Sequence, residues 1–147
     1  MSGKNFHEVI QLICKEDSRY EPGAYNFMRQ ALDFTLGKIR EEEKTTQHRH
    51  VTGQELSAGI RDYALGQYGP MSYTLLEQWG ITRTEDFGEI VFNLVEYGVF
   101  GKTDTDSRED FVGLFDFESA FKAQFKPASA STQAKQQSQG QPSEPKK

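Results

Sequence analysis

Apolar residues recur every three to four positions in five stretches of the chain. Each stretch predicts a helix with one buried face. In residues 5–16 the stripe is Phe6, Val9, Ile10, Ile13 and Cys14, with Asn5 placed to cap it. Pro22 and Gly23 then turn the chain, and Pro22 suits the first position of a long helix over residues 22–44. Ala24, Phe27, Met28, Ala31, Leu32 and Thr35 line one side of it, while Tyr25, Phe34, Leu36 and Ile39 spread around the rest. A helix apolar around so much of its circumference belongs at the centre of a bundle. Thr52 with Glu55 has the spacing of a capping box and opens a third helix to about residue 67, with Leu56, Ile60, Tyr63 and Ala64 inward. Gly69-Pro70 ends it. Met71, Leu75, Leu76 and Trp79 mark a short fourth helix.

The stretch 81–117 organises the rest. Thr82 with Glu85 reads as another capping box, and Phe87, Ile90, Val91, Leu94 and Val95 form the face behind it. Gly98 follows the last periodic residue, where a left-handed exit costs glycine least. Val99 and Phe100 then predict one strand and residues 111–117 a second, joined by the polar run GKTDTDSRED. Two short helices joined by a turn of about four residues, then a hairpin, is the order of a winged helix. The fold expected is therefore mostly α with a small C-terminal β-hairpin near residues 98–117. It is a compact helical domain over residues 1–125 with a winged-helix-like C-terminal half. Phe117, Ala120, Phe121 and Phe125 add a last short helix. Residues 126–147 hold no aromatic and no branched aliphatic side chain, which predicts a disordered polar tail.

Charge changes the functional reading. Residues 1–125 carry 13 Lys and Arg against 21 Asp and Glu, a net −8, while residues 126–147 carry four Lys against one Glu. An acidic body works against binding to phosphate backbones. The segment 82–97, which would be a recognition helix, holds one Arg against three Glu and one Asp. Eleven Phe and six Tyr argue for a packed core. One cysteine excludes an internal disulfide, and no apolar run reaches the roughly 18 residues of a spanning helix. These features lead us to expect a soluble cytoplasmic protein.

The candidate chemistry is sparse. Cys14 lies on an apolar face, as a small buried hydrophobe does. His7 sits beside its stripe with no ligand partner at metal spacing. His48 and His50 form a His-x-His pair, but nothing local supplies a third ligand. Asp86-Phe87-Gly88 matches the kinase metal-binding tripeptide in letters alone, without a glycine-rich loop or a His-Arg-Asp motif. Asp104, Asp106, Glu109 and Asp110 alternate as cation ligands do, but lack the glycine and closing glutamate of an EF-hand loop. The sequence thus designates no catalytic, cofactor-binding or metal-binding residue, and no cofactor.

Three runs carry a resemblance: VTGQELSAGIRDYALGQYGP (51–70), LLEQWGITRTEDFGEIVFNLVEYG (75–98) and DSREDFVGLFDFESAF (106–121). Within them stand Gly53-Gln54-Glu55-Leu56, Arg61-Asp62-Tyr63-Ala64, Trp79-Gly80-Ile81, Asp86-Phe87-Gly88 and Asp110-Phe111. The chain resembles a conserved small-protein family of planctomycetes and verrucomicrobia with no assigned activity, over residues 6–125. The resemblance implies the extent of the domain and brings no site residues with it.

The function expected is a non-enzymatic protein-interaction or regulatory module whose partner is another protein, with nucleic acid and membrane disfavoured. The alternatives are a winged-helix DNA-binding protein and, behind it, a small enzyme of unknown reaction.

Overall fold

The computed structural model describes residues 5–44, 51–101 and 108–125. Helix α1 is Phe6–Glu16, α2 Pro22–Glu43, α3 Gly53–Tyr68, α4 Ser72–Gln78, α5 Thr84–Glu96 and α6 Phe117–Phe121. Single 3-10 turns lie at Gly69–Met71, Arg108–Phe111 and Ala123–Phe125. The pairs His48/His50 and Asp104/Asp106, and the tail 126–147, lie outside the described residues.

Helix starts follow from local chemistry. Asn5 Oδ1 accepts the Glu8 N–H at 2.8 Å and Glu8 returns the bond to the Asn5 N–H at 3.1 Å. Thr52 and Glu55 close the same reciprocal box on α3, at 3.1 and 3.0 Å. Each box satisfies backbone donors that a helix start leaves orphaned. At α5 the expected box shifts by one residue. The helix begins at Thr84, and Asp86, not Glu85, accepts the N–H groups of Thr82 (2.9 Å) and Arg83 (3.3 Å).

Helix α2 is the central element. It buries Ala24, Tyr25, Phe27, Met28, Ala31, Thr35 and Ile39, and packs most extensively against α3. The two approach closely because Gly59 of α3 lies against the Thr35 side chain. Ile10 and Ile13 of α1, Ile60 of α3, Leu76 of α4 and Phe87, Ile90 and Leu94 of α5 complete the core.

The C-terminal hairpin does not form: among the described residues there is no strand. The reason is visible in the hydrogen bonds. The Val99 and Phe100 N–H groups both turn back onto the Leu94 carbonyl, at 2.8 and 3.1 Å, while Gly98 at φ +79° bonds Val95. Donors that a strand would offer sideways are spent on ending the helix. The returning segment is held by a side chain instead of a ladder. The buried Thr84 hydroxyl donates to the Phe111 carbonyl at 2.7 Å and accepts the Leu114 N–H at 3.2 Å. Phe111 is seated between Gly53 of α3 and Gly88 of α5, where a Cβ on either would press the ring. Phe115 and Phe117 then stack on each other and lean on Phe87, and Phe121 meets both edge-on. The winged-helix-like reading falls with the hairpin.

Candidate functional site

The residues weighed for chemistry are dispersed, and most have structural work. His7 is exposed and meets only Gln11 at 3.3 Å. Cys14 is half-buried with its Sγ 3.6 Å from the Tyr20 carbonyl. Burial first, then the charges of Glu21 and Asp17, push the thiol up, away from the reactive thiolate. Within Asp86-Phe87-Gly88 the carboxylate caps α5, the ring is core and the glycine admits Phe111. Glu109 and Asp110 belong to the 3-10 turn that carries Phe111. Among the described residues no group of three or more His, Cys, Asp or Glu is placed to hold a metal ion, and no helix is long and apolar enough to cross a membrane.

One polar network joins the α1–α2 loop to α5. The Tyr20 hydroxyl donates to buried Asp86 at 2.6 Å. Burial, and then this carboxylate, hold the phenol well above its usual range. Arg19 donates twice to Asp17, at 2.9 and 2.7 Å, and Asn93 donates to the same carboxylate at 3.0 Å. The Arg19 hydrogen bond is the main reason Asp17 titrates well below the usual carboxylate range. Asn93 also meets the Tyr25 hydroxyl at 3.0 Å, and burial pushes that phenol up to about 12. Glu89 takes Arg19 and Arg108, each at 3.3 Å. These groups satisfy one another, which is what a latch between elements requires.

The open feature lies elsewhere. A groove of about 770 Å³ runs between α1, α2 and the end of α5. Phe6, Val9 and Leu12 form one wall, Arg29, Leu32 and Asp33 the other, and Tyr97, Gly98, Val99 and Phe100 close one side. The walls follow from helical spacing: residues 6, 9 and 12 share one edge of α1, and 29, 32 and 33 one edge of α2. Leu12 is 38% exposed and also lines an adjoining hollow of about 320 Å³ with Glu8, Gln11 and Lys15. The Arg29 guanidinium lies over the Phe6 ring, 4.5 Å from its centroid. A smaller hollow of about 180 Å³ between α2 and α3 is lined by Glu42, Glu55 and the Lys38–Asp62 ion pair, among others.

The groove has the volume of a ligand or side-chain seat, which runs from about 300 to 1,000 Å³. Its titratable groups, Arg29, Asp33 and Tyr97, do not assemble a nucleophile with a base. What it offers is apolar surface beside one cation and one anion. Sequence reasoning placed Phe6, Val9 and Leu32 on buried faces and passed over Leu12, which lies off the periodic stripe. The available signal was a leucine among Gln11, Lys15 and Glu16, in a helix whose stripe was already complete. No family model, no curated protein and no solved structure matches this chain, so the groove is read from its own geometry.

Proposed function

We propose that this chain is a non-enzymatic protein-interaction module, and that a partner protein seats apolar side chains in the groove between α1, α2 and the end of α5. The observation that carries the reading is the groove itself: an apolar wall of Phe6, Val9 and Leu12 facing Leu32, open to solvent, with Leu12 uncovered. Covering such a surface releases water from it and favours association. The charged groups outside the groove support the same reading, because the best-formed cluster is already satisfied internally. The resemblance to the planctomycete and verrucomicrobial family supplies no residue roles. Binding to a phosphate backbone is disfavoured by the net −8 of residues 1–125 and by α5, whose sequence TEDFGEIVFNLVE holds four acids and no base.

The test is affinity capture with three proteins: the wild type, Leu12→Asp in the groove and Met71→Asp at a 60% exposed site that does not line it. A partner retained by wild type and Met71→Asp and lost by Leu12→Asp is the expected result. A partner set indifferent to Leu12→Asp would sink the reading. So would micromolar, salt-sensitive binding of the wild type to random duplex DNA.

A further inference from the structure

We infer that the groove is built for an amphipathic helix carrying an acidic residue, with Arg29 as the group that reads the acid. The inference rests on the interaction reading above and adds the chemistry of the partner.

Shape supplies the first part. Two packed helices leave between them a furrow flanked by rows of side chains at three- and four-residue spacing. The natural occupant of such a furrow is a third helix whose own rows fit between them. Here the rows are Phe6, Val9 and Leu12 on α1 and Leu32 on α2, and the furrow is stopped at one side by the turn at Val99 and Phe100. A partner that adds as a β-strand would need a sheet edge to pair with, and the described residues contain none.

Charge supplies the second part. Arg29 and Asp33 stand one turn apart on α2, a spacing at which such pairs commonly meet. Among the described residues no ion pair joins them, and the Arg29 guanidinium lies instead on the Phe6 ring at the groove wall. This contact holds the guanidinium at the groove wall, and a guanidinium there can bind a carboxylate in two-pronged fashion. The protein's own tail is a poor occupant, because residues 126–147 offer no aromatic or branched aliphatic anchor and are basic. A partner with two or three apolar anchors and an acid set against Arg29, on the side away from Asp33, matches this lining.

The experiment uses the full chain and a displayed library of helical peptides. Leucines are fixed at i, i+3 and i+7, and Glu, Gln and Lys are randomised at the remaining positions. Selected peptides are synthesised and measured by fluorescence anisotropy. Enrichment of Glu at one position next to the leucines is expected. The Glu→Lys version of the selected peptide should bind about tenfold more weakly, and Arg29→Glu, checked to remain folded by circular dichroism, should reverse that preference. Leu12→Asp should weaken both peptides. No enrichment, enrichment of Lys, or an unchanged preference in Arg29→Glu overturns the inference. So does displacement of the peptide by decanoate with no charge preference among peptides, which would mark the groove as a seat for a small amphiphile. Loss of the captured partner in Leu12→Asp, together with an indifferent Arg29→Glu, would leave the interaction reading standing and remove this one.

Discussion

Replacing Gly59 by alanine sets two effects of known size against each other. In a helix interior, Gly→Ala restricts the unfolded chain and stabilises by roughly 1 kcal/mol. The packing opposes it. A Cβ built on Gly59 would stand 1.8 Å from Thr35 Oγ1, 2.8 Å from Thr35 Cβ and 2.9 Å from Thr35 Cγ2. Turning Thr35 to another rotamer moves Oγ1 and Cγ2 but not Cβ, and breaks the 2.8 Å bond from its hydroxyl to the Ala31 carbonyl. Helices α2 and α3 must therefore separate. Overpacking of this kind costs about 1–3 kcal/mol, and a clash with so little relief belongs at the upper end. The net expectation is a loss of about 2 kcal/mol, or a melting temperature lower by roughly 8 °C at ~4 °C per kcal/mol. Gly37 is the control. It lies in the interior of α2 with nothing within 4 Å of a built Cβ, so Gly37→Ala should gain about 0.5–1 kcal/mol. The double variant Thr35→Ala/Gly59→Ala should recover part of the loss, since only the Cβ contact remains. Urea unfolding followed by circular dichroism at constant m-value measures all four proteins. If Gly59→Ala stabilises as Gly37→Ala does, the close crossing of α2 and α3 is wrong, and with it the position of the central helix.

Two further perturbations address the polar network and the segment that replaces the hairpin. Asp17 titrates lower in the folded chain than the ~3.9 of an unfolded aspartate. Its contribution is therefore present above about pH 4 and fades as the pH falls through the folded value. With the Asp17 side chain 20% exposed and Arg19 54% exposed, the pair is screened, and Asp17→Asn should cost about 1 kcal/mol at pH 7. That difference should shrink at pH 2–3, and a pH-independent difference in melting temperature would refute the ionic account. Thr84→Val keeps the shape of a buried side chain and strips two backbone groups of their partner. It should cost about 2 kcal/mol and raise amide exchange at residue 114 selectively; protection there equal to wild type would show that the hydroxyl is not the tether.

Much of the fold was readable because its signals are local. Asn5, Thr52 with Glu55, and Gly98 announce helix ends through bonds spanning three or four residues. The stripes of α1 and α5 need only a count of positions. The missing hairpin was not readable in that way. Val99, Phe100 and the run from Phe111 to Phe117 have the composition of strands, and composition cannot say where an N–H will find its acceptor. The answer lay in the Leu94 carbonyl for one half and, for the other, in the Thr84 side chain some thirty residues away. The shift from Glu85 to Asp86 as the capping acid has a similar source, since Asp86 is also fixed by Tyr20, 66 positions earlier. The groove was legible only as apolar positions. Whether Phe6, Val9 and Leu32 would be covered depends on where the turn after α5 falls, and periodicity carries no information about that.

The seating of Phe111 has a consequence for sequence change. Its ring occupies notches cut by Gly53 in one helix and Gly88 in another, with Asp110 pressed against the first. A methyl group gained at 88 collides with the phenyl, one gained at 53 collides with the Asp110 Cβ and crowds the ring's far edge, and a smaller side chain at 111 leaves both notches underfilled. Drift at the three positions is therefore tied together: in sequences that keep this architecture, an aromatic at 111 should travel with glycine at both 53 and 88. Where one departs, the others should be found to have moved with it.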